Sequence, residues 1–346
     1  VNDIKIAIVV MAYNPYQYFA EFITHHSMLA NHIYFIDHRS TKKFRDIDVN
    51  GVTFIESNQV AQFQSEVTNA VIRDFKLYEK YDWIFALDID EFLPFYSENE
   101  LRQFLGSYAK EKVLAFNWRN GVGVYPTVDA ETIPEGSLID VNPLLVSDFA
   151  NPNIKVAVNC NNLKYPFFFR TGNHEVVTPR PILSKLTGKN KYKSIKPAQQ
   201  HHFLYHIVSY DRGSFYRKIQ NYVDQMEMRK HVKGQGGWMV RGYLVDFDDR
   251  AWLEIIQNFR VTREELTTSN VDESMFSRKD LFGHLPKDHI IDLKQRMILL
   301  GDKDIFASTE EEKNYIENKK LDTDLTANIE RFMVKIRAND NVIEVL

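Results

Sequence analysis

Cysteine is almost missing from this chain of 346 residues: Cys160 stands alone, so no intrachain disulfide framework can form. That suits a reducing compartment. No run of about 18 apolar residues occurs, so no transmembrane helix is expected. The opening Val1-Asn2-Asp3 shows no basic segment followed by an apolar stretch, and no secretory leader is read there. An excess of positive charge is missing too. The formal net charge is −4, whereas general nucleic-acid binders carry a basic balance, so nucleic acid is not an expected partner. Internal repeats and low-complexity tracts are absent. Apolar side chains are plentiful: 44 % of residues are hydrophobic and 13 % aromatic, enough to bury a sizeable core and to exclude global disorder.

Residues 4–11 (IKIAIVVM) form a β-branched apolar run, the pattern of a strand covered on both faces. Asn14-Pro15 reads as an N-cap and first helical residue, followed by Phe19, Phe22, Ile23, His26 and Leu29 at helical spacing. Strands are expected at His32–Asp37, Val52–Ile55, Trp83–Leu87 and Val113–Trp118, and a helix from Ser65 to about Tyr81. Ser97 and Glu100 make a capping-box signature. Strands alternating with helices over about 120 residues imply a mostly parallel, doubly wound α/β sheet. Residues 120–210 read as loops and mixed strands. Beyond Asp211 the pattern turns helical: 211–228, 249–258, 262–267, 286–300 and 308–335. The expected organisation is a catalytic α/β domain over 1–245 and a helical C-terminal region over 246–346.

The chemistry concentrates at Asp88-Ile89-Asp90-Glu91, directly after the apolar strand Trp83–Leu87 and before Phe92-Leu93-Pro94. Residues two apart on an extended strand share a side, and ligands of open parallel sheets sit beyond the carboxyl ends of the strands. Asp88 and Asp90 therefore converge where a ligand is expected. A divalent cation relieves their repulsion; carboxylates are hard donors suited to Mn²⁺ or Mg²⁺, and substrate phosphate oxygens can complete the shell. D-x-D also arises by chance on solvated surfaces, but those rarely have such apolar shoulders. A haloacid-type phosphatase would place the pair on its first strand. A glycosidase needs carboxyls about 5–10 Å apart across a sugar.

Three segments, IAIVVMAYNPYQYFAEFITHH, HIYFIDHRST and DWIFALDIDEFL, together with LYHIVSYDRGSFYRKI further on, resemble family-2-like glycosyltransferases of the GT-A fold. The similarity is to the subgroup described as family 2_4 or the related family 92, and it covers residues 4–225. The resemblance implies a GT-A-like, Rossmann-like mixed sheet and transfer of a sugar from a nucleotide-diphosphate donor, UDP-linked by preference, to a glycan or lipid-linked acceptor, with inversion. It implies that Asp88 and Asp90 bind metal and diphosphate, that His206 completes the metal shell, and that Ala12, Tyr13, Asn14 and Asp37 line the nucleotide. The family's D-N-x-S-T-D element reads here Asp37-His38-Arg39-Ser40-Thr41-Lys42, a departure on the nucleotide side. The expected location is cytoplasmic; a lipid-linked acceptor would bring the protein to the inner face of a membrane as a peripheral visitor.

Glu175, or His174 beside it in Gly172-Asn173-His174-Glu175, is the candidate base for an acceptor hydroxyl. A turn with a solvated glutamate explains the same residues equally well. Of the cluster His201, His202 and His206, His206 is the leading candidate for a third metal ligand and His201 ranks well below it; a satisfied core or surface histidine is the ordinary alternative. Lys233–Trp238 suits a loop folding over a donor, and Arg212, Arg217 and Lys218 suit phosphate, yet each also fits a connection or a solvated helix face. Glu310–Lys320 reads as a solvated helix with internal ion pairs. Two other classes compete with a transferase: a sugar- or nucleotide-binding module without chemistry, and a metal-dependent phosphohydrolase.

Overall fold

A computed structural model describes residues 4–57, 63–123, 144–146, 151–180, 192–197, 202–209, 283–303, 334–337 and 342–345. The first half runs β1 (Ile6–Ala12), α1 (Phe19–Ser27), β2 (His32–His38), β3 (Val52–Ser57), α2 (Gln64–Asp74), α3 (Leu77–Lys80), β4 (Trp83–Asp88), β5 (Glu91–Phe92) and α4 (Glu98–Ser107). Then come β6 (Val113–Gly123), β7 (Leu144–Val146), β8 (Asn151–Asn159), β9 (Phe168–Phe169), β10 (Val176–Pro179), β11 (Tyr192–Ile195) and β12 (Phe203–Ser209). The described C-terminal elements are α5 (Lys287–Ile298), β13 (Val334–Arg337) and β14 (Val342–Val345).

The chain is a mixed α/β protein built on one large sheet in the order β13-β14-β3-β2-β1-β4-β8-β6-β12-β5, with β7 on β6. Strands β14, β3, β2, β1 and β4 run parallel. Strand β8 is antiparallel to both β4 and β6, and β12 is parallel to β6. A small second sheet has the order β11-β10-β9. Every residue of β1 is buried, because alternate side chains enter two cores. Ile6, Ile8 and Val10 meet Phe19, Phe22 and Ile23 of α1 and Leu293 and Met297 of α5. Ala7, Val9 and Met11 meet Val67 and Val71 of α2 and the aromatic run Phe167–Phe169. Period-two alternation with both faces apolar is what a central parallel strand requires.

Several local expectations change. Asn14 does not cap α1, which starts after Tyr18. Instead Asn14 takes a left-handed conformation at φ 46°, and its side-chain oxygen accepts from the Thr41 N–H at 2.8 Å. Asparagine tolerates that backbone and bonds locally, so the same residue type serves a turn as readily as a cap. The helix expected over 65–81 is broken at Lys76 (φ 51°), which turns the chain so that Leu77 enters the core. The capping box is half formed: Ser97 Oγ accepts from Glu100 N–H, whereas the Glu100 carboxylate accepts from Tyr96 N–H.

The helix expected at 286–300 is present as α5, whereas the expectation of helix to 335 is corrected at its end. Residues 334–337 and 342–345 are strands, antiparallel to each other, and β14 pairs with β3. An open sheet edge is a template for any extended apolar segment, and Val342-Ile343-Glu344-Val345 fills it. The expected helices at 211–228, 249–258 and 262–267, most of that at 308–335, and a boundary near 245 lie outside the described residues. Among the described residues, no helix is long and apolar enough to cross a membrane.

Helix α1 carries two fully buried histidines. His25 Nε2–H donates to the Leu93 carbonyl at 2.8 Å, and burial lowers its pKa to about 3. Burial likewise holds His26 well below the usual value. Both are neutral in the fold. The unfolded chain takes up protons near pH 6.5 that the fold refuses, so this contribution to stability is complete above pH 6.5 and is lost as pH falls toward 3. The expected loss is about 1.4 kcal/mol per pH unit for His25 alone. Thermal midpoints from pH 7.5 to 5 should fall, and less steeply in His25→Gln, which keeps a donor for Leu93. Equal slopes in the two proteins would show that His25 is not responsible.

Candidate functional site

The site lies beyond the carboxyl ends of β1, β2 and β4. Strand β4 ends at Asp88, and Ile89-Asp90 form a turn before β5. Strand alternation therefore stops at Asp88 and does not place Asp90 on the same side. A longer-range pairing positions Asp90. Strand β5 lies antiparallel to β12, with Tyr205 opposite Phe92 and His206 opposite Glu91. The Ile207 N–H donates to the Asp90 carbonyl at 2.7 Å. This brings His206 Nε2 to 3.5 Å from Asp90 Oδ2, both side chains being buried.

The neighbouring strand orients the imidazole. Asn120 of β6 stands in register with His206, and its amide oxygen accepts from His206 Nδ1–H at 2.9 Å. With Nδ1 bound to Asn120, Nε2 faces the Asp90 carboxylate. Trp118, two residues earlier on β6, stacks on the His206 ring with centroids 4.2 Å apart.

Asp88 has different partners. Gln64 Nε2 donates to its Oδ1 and Lys155 Nζ to its Oδ2, both at 2.6 Å. Lys155 comes from β8, is almost completely buried, also donates to the Gly172 carbonyl at 2.7 Å, and lies 3.3 Å from Glu91 Oε1. Glu91 is fully buried and accepts from the Asp88 N–H at 2.8 Å. Burial raises its pKa well above the carboxylate range, with Lys155 opposing.

In the turn between β9 and β10, Gly172 has φ 79°, and a Cβ there would meet the His174 ring at 2.5 Å, so both backbone and packing demand glycine. His174 Nδ1–H donates to the Ile154 carbonyl at 2.5 Å. Its ring meets Trp118 edge-on. Burial, and then Lys155, hold its pKa below the ordinary value, so the imidazole is neutral near pH 7. Glu175 is instead held at the surface by Arg170, 3.2 Å away.

At the other end, Ala12 pairs with Asp37 across β1 and β2. Asp37 is 1 % exposed; its Oδ1 accepts from Ser40 N–H at 3.2 Å, and Lys303 Nζ lies 3.7 Å from its Oδ2. Burial raises its pKa, against the pull of Lys303. Asn14 and Arg39 both sit at positive φ at these strand ends, pinned by Asn14 N–H to Ser40 Oγ and by the Asn14–Thr41 contact. Such conformations cost on the order of 1–3 kcal/mol each and gather at ligand sites. Tyr13 is half-buried beside them.

The structure thus brings together Asp88, Asp90, His206 and His174, and keeps Glu175 apart on Arg170. His202 belongs to an aromatic cluster with Phe104 and Tyr108. His201, Arg212, Arg217, Lys218, Lys233–Trp238 and Glu310–Lys320 lie outside the described residues. Sequence reasoning missed Lys155, Gln64, Asn120 and Trp118, and placed Glu91 in the acidic run without a role. Only Lys155 left a legible signal, a lysine inside the apolar strand Ile154–Val158. Among the described residues, no group of three or more His, Cys, Asp or Glu side chains forms a ready metal cage. The sequence matches no protein-family model, and no curated protein is detectably similar to it.

Proposed function

We propose that this chain is a divalent-metal-dependent glycosyltransferase of the GT-A type, taking a nucleotide-diphosphate sugar, UDP-linked by preference, and passing the sugar with inversion to a glycan or lipid-linked acceptor. The observation that carries this is the Asp90–His206 pair beyond the carboxyl end of β4. A carboxylate and an imidazole lone pair facing each other at 3.5 Å fit a cation, since two donors each about 2.1 Å from one ion stand about 3 to 3.5 Å apart. Asn120 supplies the outer hydrogen bond that metal-binding histidines usually have. The strand order β3-β2-β1-β4 followed by antiparallel β8 also supports the reading.

Asp90 and His206 would hold Mn²⁺ or Mg²⁺, which would neutralise charge building on the leaving diphosphate. The strained turns at Tyr13-Asn14 and Arg39 shape the nucleotide end, with Asp37 buried beneath them. Trp118 covers His206 and keeps water from that side of the pair. His174, neutral and fixed through Nδ1, is better placed than Glu175 to take the acceptor proton, because Glu175 is already engaged by Arg170. A lipid-linked acceptor would add peripheral contact with a membrane surface.

Thermal melts with UDP, GDP, CDP and ADP, each with and without Mn²⁺, test the proposal. One nucleotide should raise stability only when Mn²⁺ is present, by about 2.7 kcal/mol at a hundredfold excess over its Kd. No shift with any nucleotide, together with phosphate release from simple phosphoesters, would replace the transferase with a phosphohydrolase. A shift without sugar transfer would leave a binding module.

A further inference from the structure

We propose that residues 301–303, which follow α5, are part of the nucleotide end of the site, and that Lys303 positions the turn at 39–43 through the buried carboxylates Asp37 and Glu56. This deepens the nucleotide-binding reading above, rests on it, and brings the C-terminal region into the site.

The sheet register creates the need for a cation. Asp37 and Glu56 are direct neighbours across β2 and β3, so their side chains leave the sheet on one face and repel each other. Lys303 Nζ lies 3.1 Å from Glu56 Oε1 and 3.7 Å from Asp37 Oδ2, and all three side chains are less than a tenth exposed. Salt and water screen little at such depth. The facing atoms make no hydrogen bond, so charge rather than bond geometry carries the contact. Arg45 answers the other Glu56 oxygen at 3.1 Å, from a more exposed position.

From this trio the contacts run to the ligand side. Asp37 Oδ1 accepts from the Ser40 N–H. The Lys303 N–H donates to the Thr41 carbonyl at 2.8 Å, and the Lys43 N–H to the Gly301 carbonyl at 3.1 Å. Lys42 Nζ lies 2.7 Å from Asp302 Oδ1. On its other side the same turn is bonded to the end of β1, through the Thr41 N–H on Asn14 Oδ1, the Asn14 N–H on Ser40 Oγ, and a Tyr16 hydroxyl that bonds both Asn14 and Thr41. Asn14 and Arg39 sit at positive φ here, and such backbone persists only where its surroundings hold it. Residues 301–303 supply one side of that hold and β1 the other. Lys303 is therefore a positioning residue, acting on the turn through Asp37.

The test is amide hydrogen exchange of the ligand-free full chain at Ser40, Thr41, Lys43 and Lys303, followed by titration of UDP, GDP, CDP and ADP in the presence of Mn²⁺. Lys303→Met should bring these four amides close to unprotected exchange while β1 and β4 stay protected. It should also weaken whichever nucleotide binds the parent by about tenfold, since apparent affinity scales with the fraction of protein whose turn is closed. Lys303→Arg should restore both, because the charge returns. A merely structural lysine would speed exchange across the whole sheet to the same degree and leave nucleotide affinity unchanged; either result overturns the proposal. If Lys303→Met does not fold, Lys303→Met with Glu56→Gln decides, since it removes one charge of each sign. Asp37 still lacks its cation there, so Ser40 and Thr41 should again lose protection, and parent rates at both overturn the proposal. A parent that binds none of the four nucleotides sinks the nucleotide reading, and exchange alone then decides whether Lys303 positions the turn.

Discussion

Replacing Asp90 with alanine should abolish the Mn²⁺-dependent nucleotide shift and slow sugar transfer roughly a thousandfold, equivalent to about 4 kcal/mol of barrier. The chain should still fold. Asp90 is fixed through its backbone, where the Ile207 N–H donates to its carbonyl at 2.7 Å, and that bond survives the substitution. What goes is the buried carboxylate facing His206 Nε2. His206→Gln should follow in the same direction. Asn120→Ala should cost less, on the order of 10- to 100-fold in metal affinity, as loss of an outer hydrogen bond does. Full metal-dependent transfer by Asp90→Ala would mean that the active site is elsewhere.

The largest expected stability effect lies away from the site, where α5 packs on α1. Glu21 and Lys294 are both buried, with Lys294 Nζ 2.7 Å from Glu21 Oε1. Truncating one partner strands a charge in the core and should cost about 3–5 kcal/mol. Replacing both, as Glu21→Leu with Lys294→Met, should be close to neutral, because the desolvation of two ions disappears along with their attraction. Urea unfolding of the four proteins gives the coupling directly. Independent, additive losses would show that the pair is not coupled. The contact also matters for organisation, since α5 belongs to the C-terminal hundred residues and its inner face completes the core around β1 and α1.

The parallel strands β1 to β4 were legible because each is led by a short apolar, β-branched or aromatic run, continuous on both faces in β1 and β4, a pattern that depends only on neighbours along the chain. The start of α4 was legible for the same reason: a cap is a four-residue matter. Asp88, Asp90 and His206 could be named from the D-x-D element and a resemblance, and each was named without its partners. What brought Asp90 to His206 is the β5–β12 pairing, two short segments more than a hundred residues apart. Neither has periodicity enough to announce the other. Lys155 is the clearest case of a role set by the fold. On the sequence it is a lysine in an apolar strand; between β4 and β6 it becomes the cation on Asp88. Asn14 shows the converse, a turn residue read as a cap because both uses follow from one short amide side chain. Alternation, capping and composition are local and are written in the chain, so they determined the strands β1 to β4 and β6 and the start of α4, and that the centre of the sheet is covered on both faces. Which acid faces which base, which carboxylate is already neutralised, and that the tail returns to the edge of β3 as a strand depend on contacts between distant segments. Only the closed tertiary structure sets their distances.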